Sequence, residues 1–595
     1  MAIKIDKTAL AQKINALEGL DAETKSQLLE LLHERKRYGL IWEEKEEDVE
    51  ERLRNELPVL QEVKERAIIA DAPEAPNHIL IEGDNLEALT TLSYTHENQI
   101  DVIYIDPPYN TGNKDFVYND RFVDADDEYR HSKWLSFMAK RLRIAKRLLS
   151  DKGVIFISID DNEQAALKLL CDEIFEEKNF LTSFIWKKKT GASDANGIAT
   201  ITEYIIAFCK DISVANEIIR QNTEALDTKR YRFQDEFCNV RGAYYTDSLD
   251  RGSVRYSDSL NYPIIAPDGT TLYPNDRTDF QQDGWTWKWS KEKVAWGIKN
   301  GFIEIVANDK RKSGWSVRYK IYMNTDNEGT LVKKSAPFKN LINNVLNADA
   351  TADIKNIFSS KVFDYAKPLE LLSFIVSLHI NKFSTILDFF AGSGTTLHAT
   401  MQLNADDGGH RKCILVTNNE NHICEEVTYE RNKRVINGYT TPKGEQVAGL
   451  KNNTLRYYRT GFVARNSSAT AKRELMRAAT DMLCIKNDIY TEQSLFGNRN
   501  FRKDVLRYFA DGSRAMLVIY NPDAIEMVVE QLQTMQLATP VIVYVFSLND
   551  YAMDADFETV ADRVELCALP AAILNAYRKV LPRKQQPTKS EEDAL

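Results

Sequence analysis

The turn Asp106-Pro107-Pro108-Tyr109 combines side chains and carbonyls that could bind a flat ring bearing an amino group. The apolar residues 100–105 predict a buried strand before it. The two prolines end that strand, because neither can donate a backbone hydrogen bond. Asp106 and the proline carbonyls could accept from the amine, and Tyr109 could stack on the ring. Four residues alone are equally typical of an ordinary Asx-Pro turn.

A second turn, within FSTILDFFAGSGTTLHATMQLN, could hold a ligand against its backbone. Residues 385–389 predict a strand, the glycines at 392 and 394 a tight turn, and Thr395 the start of a helix. Glycines allow close approach of a ligand, with the helix N-terminus behind them. The turn is neither a dinucleotide GxGxxG, because the third glycine is missing, nor a phosphate P-loop, because no Gly-Lys-Thr follows.

Two further acidic residues could complete such a site. Asp84 stands between a predicted strand and a predicted helix, where its carboxylate could meet the amino group of an adenosine or simply cap the helix. Glu420 follows the strand KCILVTN, and an acid there can hold ribose hydroxyls. Lys367-Pro368 precedes a helix, and proline suits a first helical turn.

Composition excludes several classes of protein. The chain has 595 residues and a net charge of −11, so DNA contact would need a local basic surface. No apolar run is long enough to span a membrane. The N-terminus has no signal-peptide core. Seven dispersed cysteines without a CxxC pair argue against disulfides and zinc sites, and predict a cytoplasmic protein without a metal.

Alternating strand and helix patterns predict a doubly wound, Rossmann-like α/β sheet, whose ligands bind at the carboxyl ends of the strands. From 211 to 360 this alternation fades, and aromatic and basic residues are interleaved. Residues 286–334 hold eleven Lys/Arg and five Asp/Glu, a local charge of +6. This pattern favours DNA contact, although a small β-rich domain with a tryptophan core would look similar. The predicted contacts are Lys288, Lys310, Arg311, Lys312, Arg318 and Lys320.

Together, the two turns resemble those of amino-methyltransferases that modify DNA with S-adenosylmethionine. Those enzymes share a D/N/S-PP-Y/F/W motif and an F-x-G-x-G cofactor loop. EGDNLEAL, IDPPYNTGNKDFVYND, GVIFISIDD, TEYIIAF, KP and FAGSGTTLHA occur here in the order of the family's β arrangement. The extended DPPYNTGN, the polar N-terminus and the size resemble Mod subunits of Type III restriction–modification systems. The resemblance covers about 30–460 and is weakest over 211–360.

The resemblance implies a role for each matching residue. Asp106, Pro107, Pro108 and Tyr109 would bind the target base, and Asp rather than Ser at the first position favours adenine N6. S-adenosylmethionine would be the cofactor. Its site would be lined by Asp84, Asp106, Lys367, Pro368, Asp388, Phe390, Ala391, Gly392, Ser393, Gly394, Thr395 and Glu420.

The resemblance also implies partners and a division into domains. The partners would be double-stranded DNA, a second copy of the chain, and a separate Res helicase–nuclease, since this chain has no GKT/GKS loop of its own. We expect a cytoplasmic enzyme that joins the nucleoid when bound to DNA. The predicted domains are a helical arm (1–75), a catalytic half (76–210), a target-recognition domain (211–360), a cofactor half (361–455) and a C-terminal α/β domain with a disordered tail (456–595).

Three alternatives remain open at this point. The chain could be an orphan DNA methyltransferase without a nuclease partner. It could be a non-catalytic DNA-recognition subunit, although the intact DPPY and FAGSGT argue against that. It could also modify RNA or protein, which the long insertion between the two turns disfavours.

Overall fold

The computed structural model describes residues 42–581, except 114, 120, 125, 192–196, 253–255 and 549–550. The chain divides into two compact units, and the second is formed by residues 221–339. Most of the predicted N-terminal arm and the predicted disordered tail therefore lie outside the described residues. None of the helices within the described ranges is long and apolar enough to cross a membrane.

A ten-stranded sheet is the centre of the first unit and confirms the predicted fold class. The strands are β1 (Glu56–Glu62), β2 (Asn77–Glu82), β3 (Ile100–Ile105), β4 (Leu149–Ile159), β5 (Phe180–Lys187), β6 (Thr202–Cys209), β7 (Leu341–Ile342), β8 (Thr385–Asp388), β9 (Lys412–Thr417) and β10 (Thr454–Ala464). Their spatial order is β1-β10-β2-β9-β8-β3-β4-β6-β5-β7. The strands from β10 to β4 in this order are parallel, whereas β1 and β6 are antiparallel to their neighbours.

Helices cover both faces of this sheet, which is why its inner strands are continuous apolar runs rather than alternating ones. In β3, for example, the consecutive residues Val102, Ile103, Tyr104 and Ile105 are each at most 1% exposed. The helices are α1 (Asp48–Asn55), α2 (Asn85–Thr95), α3 (Arg130–Leu148), α4 (Gln164–Cys171), α5 (Ala215–Ile218), α6 (Asn347–Phe358), α7 (Leu369–Ser377), α8 (Thr395–Asp407) and α9 (Glu430–Asn437).

The described part of the predicted helical arm is only partly helical. The charged segment forms α1, but the next seven residues form β1, which pairs antiparallel with β10. Leu57, Val59 and Leu60 are almost fully buried there. The helical prediction was wrong for β1, because a short apolar run after a charged helix can be buried as an edge strand.

The C-terminal residues form a second sheet that shares a hydrophobic core with the first. Tyr577, for example, donates a hydrogen bond to the carbonyl of Pro58 at 2.6 Å. The proposed boundary at 455/456 falls inside β10. The elements are α10 (Ala469–Ala478), α11 (Thr480–Asn487), β11 (Glu492–Gln493), β12 (Leu506–Asp511), β13 (Arg514–Ile519), α12 (Ile525–Thr534), β14 (Val541–Phe546), β15 (Val564–Leu569) and α13 (Ala571–Arg578).

The second unit, residues 221–339, is small and rich in β structure. Strands Ile303–Ala307, Trp315–Tyr322 and Tyr244–Ser248 form an antiparallel sheet, beside the helix Lys291–Lys299. Strand pairs Asp250–Gly252 with Trp285–Trp287 and Ile264–Ile265 with Thr271–Leu272 complete it. Its core contains several aromatics of the basic segment: Trp287, Trp289, Phe302, Tyr319 and Tyr322. These rings are packing residues, as in the alternative of a small domain with a tryptophan core, and are not exposed for base stacking.

Candidate active site

The sheet brings together turns that lie up to 336 residues apart in the chain. The strands β2, β9, β8 and β3 are parallel neighbours, so their carboxyl ends share one edge of the sheet. Asp84 follows β2, Glu420 follows β9, the glycine turn follows β8, and Asp106 follows β3. This edge is where ligands of doubly wound sheets bind.

Asp106 is the acceptor in a buried cluster of polar groups. Lys367 Nζ donates to Asp106 Oδ1 and to Asp106 Oδ2, each at 2.7 Å, and to Tyr109 Oη at 2.9 Å. Tyr109 Oη also lies 2.9 Å from Asp106 Oδ1. Lys367 was predicted to bind cofactor, but its ammonium contacts the Asp106–Tyr109 turn. The neighbouring Pro368 caps the N-terminus of α7 and is buried.

A second carboxylate, Glu203 at the start of β6, belongs to this cluster and was not predicted. Its Oε2 lies 3.1 Å from Tyr109 Oη and 3.7 Å from Lys367 Nζ, and Lys188 Nζ donates to its Oε1 at 2.8 Å. The signal in the sequence was a lone acid before an apolar strand, in TEYIIAF. Nothing in that segment reveals that β6 opens beside the end of β3.

The ionisation of the cluster follows from burial and neighbouring charge. Burial raises the pKa of Asp106, and the ammonium of Lys367 only partly offsets this. Burial opposes the charge of Lys367, but Asp106 and Glu203 together raise the pKa of that amine. For Glu203, the burial penalty is outweighed by Lys367 and Lys188, which lower its pKa. Glu203 is therefore the more firmly ionised carboxylate.

The two proline carbonyls are not equivalent. The indole Nε1 of Trp134, on α3, donates to the carbonyl of Pro108 at 2.7 Å. Both carbonyls were predicted as acceptors for the amine, but this bond occupies Pro108 and fixes the turn onto α3. The Pro107 carbonyl is therefore the stronger candidate.

Asp388 stabilises the glycine turn from inside. Its Oδ1 accepts from the N–H of Phe390 at 3.0 Å, and its Oδ2 accepts from Thr396 Oγ1 at 2.5 Å. Asp388 is 2% exposed, and both oxygens are engaged within the turn. Asp388 was predicted to line the cofactor site, and its contacts show that it holds the glycine turn in shape. The N–H of Ala391 donates to Val416 of β9 at 3.1 Å, which ties the turn to the next strand.

The side chains of Ser393 and Thr395 point into the protein. The buried Arg431, on α9, donates to Ser393 Oγ at 3.2 Å and to Thr395 Oγ1 at 2.7 Å. Both were predicted as cofactor contacts, but their hydroxyls are occupied by this arginine. Phe390 packs on Phe137 of α3, with ring centroids 5.8 Å apart. The turn can therefore offer a ligand its backbone more readily than these hydroxyls.

The two glycines of the turn have positive φ angles for different reasons. Gly394 (φ +73°) has no room for a side chain, because a Cβ there would lie 2.5 Å from Asn432 Nδ2. At Gly392 (φ +49°), the nearest atom to a Cβ would be a ring carbon of Phe363, 3.5 Å away. Gly394 therefore allows α9 to pack closely, whereas a Cβ at Gly392 would only be in van der Waals contact with Phe363.

Asp84 has one oxygen in a helix cap and retains exposed surface. Its Oδ1 accepts from the N–H of Leu86 at 2.7 Å, which caps α2. Its Oδ2 lies 3.7 Å from the guanidinium of the buried Arg141, and its side chain is 40% exposed. Both interpretations of Asp84 are thus compatible. Glu420 is exposed, in a single helical turn after β9, and its ribose role stays a prediction.

The pKa of Asp388 leads to a testable pH dependence. Burial raises this pKa from 3.8 to about 7. At pH values between these two pKa values, the folded protein binds a proton that the unfolded chain has released. The stability that this proton contributes is therefore lost as the pH rises through 7. Between pH 5 and pH 8 the wild type should lose about 2–3 kcal/mol more unfolding free energy than Asp388→Asn. Urea denaturation of both proteins measures this difference, and parallel pH profiles would contradict the assigned environment.

The six predicted DNA-contacting cations, all in the second unit, differ in their partners. Lys310 and Lys312 are exposed, and Arg318 is half-buried. The other three pair with acids of the same unit: Lys288 with Asp247 at 2.7 Å, Arg311 with Asp250 at 3.2 Å, and Lys320 with Asp235 at 2.7 Å. The local positive charge is thus partly neutralised, and Lys310 and Lys312 are the better candidates for phosphate contact.

Changing Lys310 and Lys312 together to glutamine should weaken DNA binding and lower the salt slope of log K by up to about 2, as for two lost phosphate contacts. Titration of labelled DNA by anisotropy at several salt concentrations measures this. The matched control changes Lys443 and Lys451, two exposed lysines of the other unit. An unchanged slope in the first variant would remove these residues from the interface.

Known proteins are similar to the part of this chain that contains the Asp106–Tyr109 turn and the glycine turn. A family model described as DNA methylase, of the N6/N4 methyltransferase type, matches residues 100–430. The StyLTI Mod subunit of Salmonella typhimurium, a Type III restriction-modification enzyme, is 34% identical over 57% of this chain and 52% of its own length. The EcoPI Mod subunit of Escherichia phage P1 is 31% identical over 58% of each chain. The chain thus spans little more than half the length of these relatives.

A Type II methyltransferase and a solved methyltransferase structure are also similar to parts of this chain. The Type II methyltransferase M.KpnI of Klebsiella pneumoniae is 34% identical, over 60% of this chain and 84% of its own length. The solved structure of the cytosine-N4-specific PvuII DNA methyltransferase matches this chain over 58% of its length and 84% of the other chain, at 11% identity and a TM-score of 0.29. Because the family model matches more than half of the sequence, this chain belongs to the family of N6/N4 DNA methylases.

Proposed function

We propose that this protein is a site-specific DNA methyltransferase that moves a methyl group from S-adenosylmethionine to adenine N6. One observation carries the proposal. In a chain of the DNA methylase family, the Asp106–Tyr109 turn and the glycine turn follow the adjacent parallel strands β3 and β8. A base at the first turn and a methyl donor at the second would therefore meet.

The residues of the first turn suit a base that has left the duplex, as methylation requires. Tyr109 stacks on the ring, which contributes about 1–3 kcal/mol. Asp106 and the Pro107 carbonyl accept hydrogen bonds from the amine and so localise its lone pair on nitrogen. After transfer the nitrogen gives up one proton, and Asp106 lies within reach to accept it. Holding both reactants side by side supplies the proximity effect.

The residues of the second turn fit S-adenosylmethionine, the cofactor that family membership supports. When bound, this cofactor supplies an electrophilic methyl group on a sulfonium. The backbone around Gly392, where the nearest atom to a Cβ would be a ring carbon of Phe363 at 3.5 Å, and the exposed surface of Asp84 would hold it. Asp388 and Arg431 keep the turn in shape.

Adenine is the proposed base because the first residue of the turn is Asp rather than Ser, as the resemblance implies. The experiment incubates the purified protein with labelled S-adenosylmethionine and unmodified genomic DNA, followed by digestion and mass spectrometry of the nucleosides. We expect N6-methyladenine. N4-methylcytosine would overturn the choice of base, and no labelled nucleoside would overturn the proposed activity.

We further propose that the protein is the modification and recognition subunit of a Type III system. The similarity to relatives named as Mod subunits supports this. Such a subunit would bind double-stranded DNA as a homodimer, in the cytoplasm at the nucleoid, and would take its cleavage activity from a Res helicase–nuclease. Residues 221–339, with the exposed Lys310 and Lys312, would recognise the target sequence.

A second candidate is an orphan methyltransferase without a nuclease partner. The match to M.KpnI, a Type II methyltransferase, over 84% of that protein's length favours it. Purification of the tagged protein from its native cells separates the two candidates. A helicase–nuclease that co-purifies in stoichiometric amount supports the Type III assignment, and its absence supports the orphan enzyme.

A further inference from the structure

Lys367 occupies the acceptor that the target amine would need. All three protons of its ammonium are donated to the catalytic turn, two to Asp106 and one to Tyr109. Asp106 Oδ1 also lies within hydrogen-bond distance of Tyr109 Oη. An amine that approaches Asp106 must therefore compete with an ammonium that holds both carboxylate oxygens, and a charged donor forms the stronger hydrogen bonds.

Lys367 cannot simply leave, because a buried ammonium without a partner is strongly unfavourable. Glu203 offers the alternative partner. Its Oε2 is 3.7 Å from Lys367 Nζ, so a movement of about 1 Å would form a hydrogen bond. Glu203 is held in position beside Lys367, since Lys188 donates to its other oxygen at 2.8 Å.

We propose that Glu203 is a positioning residue that accepts Lys367 when the target amine enters, so that Lys367 releases at least one oxygen of Asp106. This inference rests on the proposed function, because it concerns entry of the base into the same site. Before the base binds, Lys367 would take the place of its amine at Asp106. Glu203 would then stabilise the displaced ammonium without touching the base.

The test uses Glu203→Gln, which keeps the shape of the side chain and removes its charge. Lys367 then has no anionic partner other than Asp106, so base entry becomes harder. We expect kcat to fall at least tenfold, while the affinity for S-adenosylmethionine, measured by calorimetry, is unchanged. The matched control is Glu217→Gln, which removes an exposed carboxylate paired with Lys152 and should keep wild-type kcat.

The decisive readout is a double variant. Adding Lys367→Met to Glu203→Gln removes the competing ammonium, and we expect kcat to recover at least threefold over the single variant. A merely structural ion-pair network would lose further activity when its second member is removed. Thermal melts of all variants identify any that fail to fold. The recovery of kcat is judged between the single and the double variant, which both lack the charge of Glu203.

The outcomes separate this inference from the proposed function. An inactive wild type would overturn both. An active wild type with Glu203→Gln within threefold of its kcat would overturn the role of Glu203 alone. A single variant with reduced kcat and no recovery in the double variant would assign Glu203 to stability of the pocket and overturn the transfer of Lys367.

Discussion

Replacing Asp106 with alanine is expected to lower methyl transfer about 10³-fold, the scale seen when one preorganised electrostatic contact is removed. The carboxylate is the only acceptor in the described Asp106–Tyr109 turn that carries a full charge. Its loss should spare the fold, because Lys367 can turn to Glu203, whose Oε2 is 3.7 Å away. Tritium transfer to DNA measures the rate, and calorimetry should show unchanged affinity for S-adenosylmethionine.

Asp106→Asn is the informative companion to this variant. It keeps an acceptor oxygen for the amine but loses the charge that binds Lys367, so its rate should lie between those of wild type and Asp106→Ala. Near wild-type transfer by Asp106→Ala would show that the catalytic role is assigned to the wrong residue.

Replacing Gly392 with leucine is expected to weaken cofactor binding at least about 100-fold. The φ angle of +49° disfavours a side chain, and a leucine would have to pass the ring of Phe363, 3.5 Å from its Cβ, to reach the space proposed for the cofactor. Isothermal calorimetry with S-adenosylmethionine measures the loss, and thermal melting records the separate effect on folding.

Gly408 provides the matched control for backbone strain. It ends α8 with φ +66°, and within the described part of the chain no atom outside its immediate neighbours lies within 4 Å of where its Cβ would stand. Gly408→Leu should therefore cost similar stability but leave cofactor affinity intact. Equal affinity in the wild type and Gly392→Leu would contradict the placement of the cofactor at this turn.

The individual strands and both turns could be predicted from the sequence, because each of them is formed by one contiguous segment. An apolar run followed by Asp106-Pro107-Pro108, or by Gly392 and Gly394, defines a strand end locally. Glu203 and Arg431 could not be found this way. Their contacts span 94 residues to Tyr109 and 36 to Thr395, and such contacts depend on strand order rather than on local pattern.

The basic segment shows a second limit of sequence reasoning. The charge of +6 was counted over residues 286–334, but the acids that neutralise Lys320, Lys288 and Arg311 lie outside that window, at positions 235, 247 and 250. Its tryptophans were equally ambiguous, because spacing alone does not distinguish a core ring from an exposed one. Trp287 is 2% exposed, and only the fold could establish that.

The central claim, that Asp106 and the glycine turn form one methyl-transfer site for adenine in DNA, is tested most directly in living cells. DNA from a host that expresses the wild type or Asp106→Ala would be sequenced by single-molecule long-read methods, which detect modified bases in their sequence context. We predict N6-methyladenine within one defined motif in the wild type, and an unmodified motif in the variant. Modified adenine at the same motif in both samples, or in neither, would contradict the account.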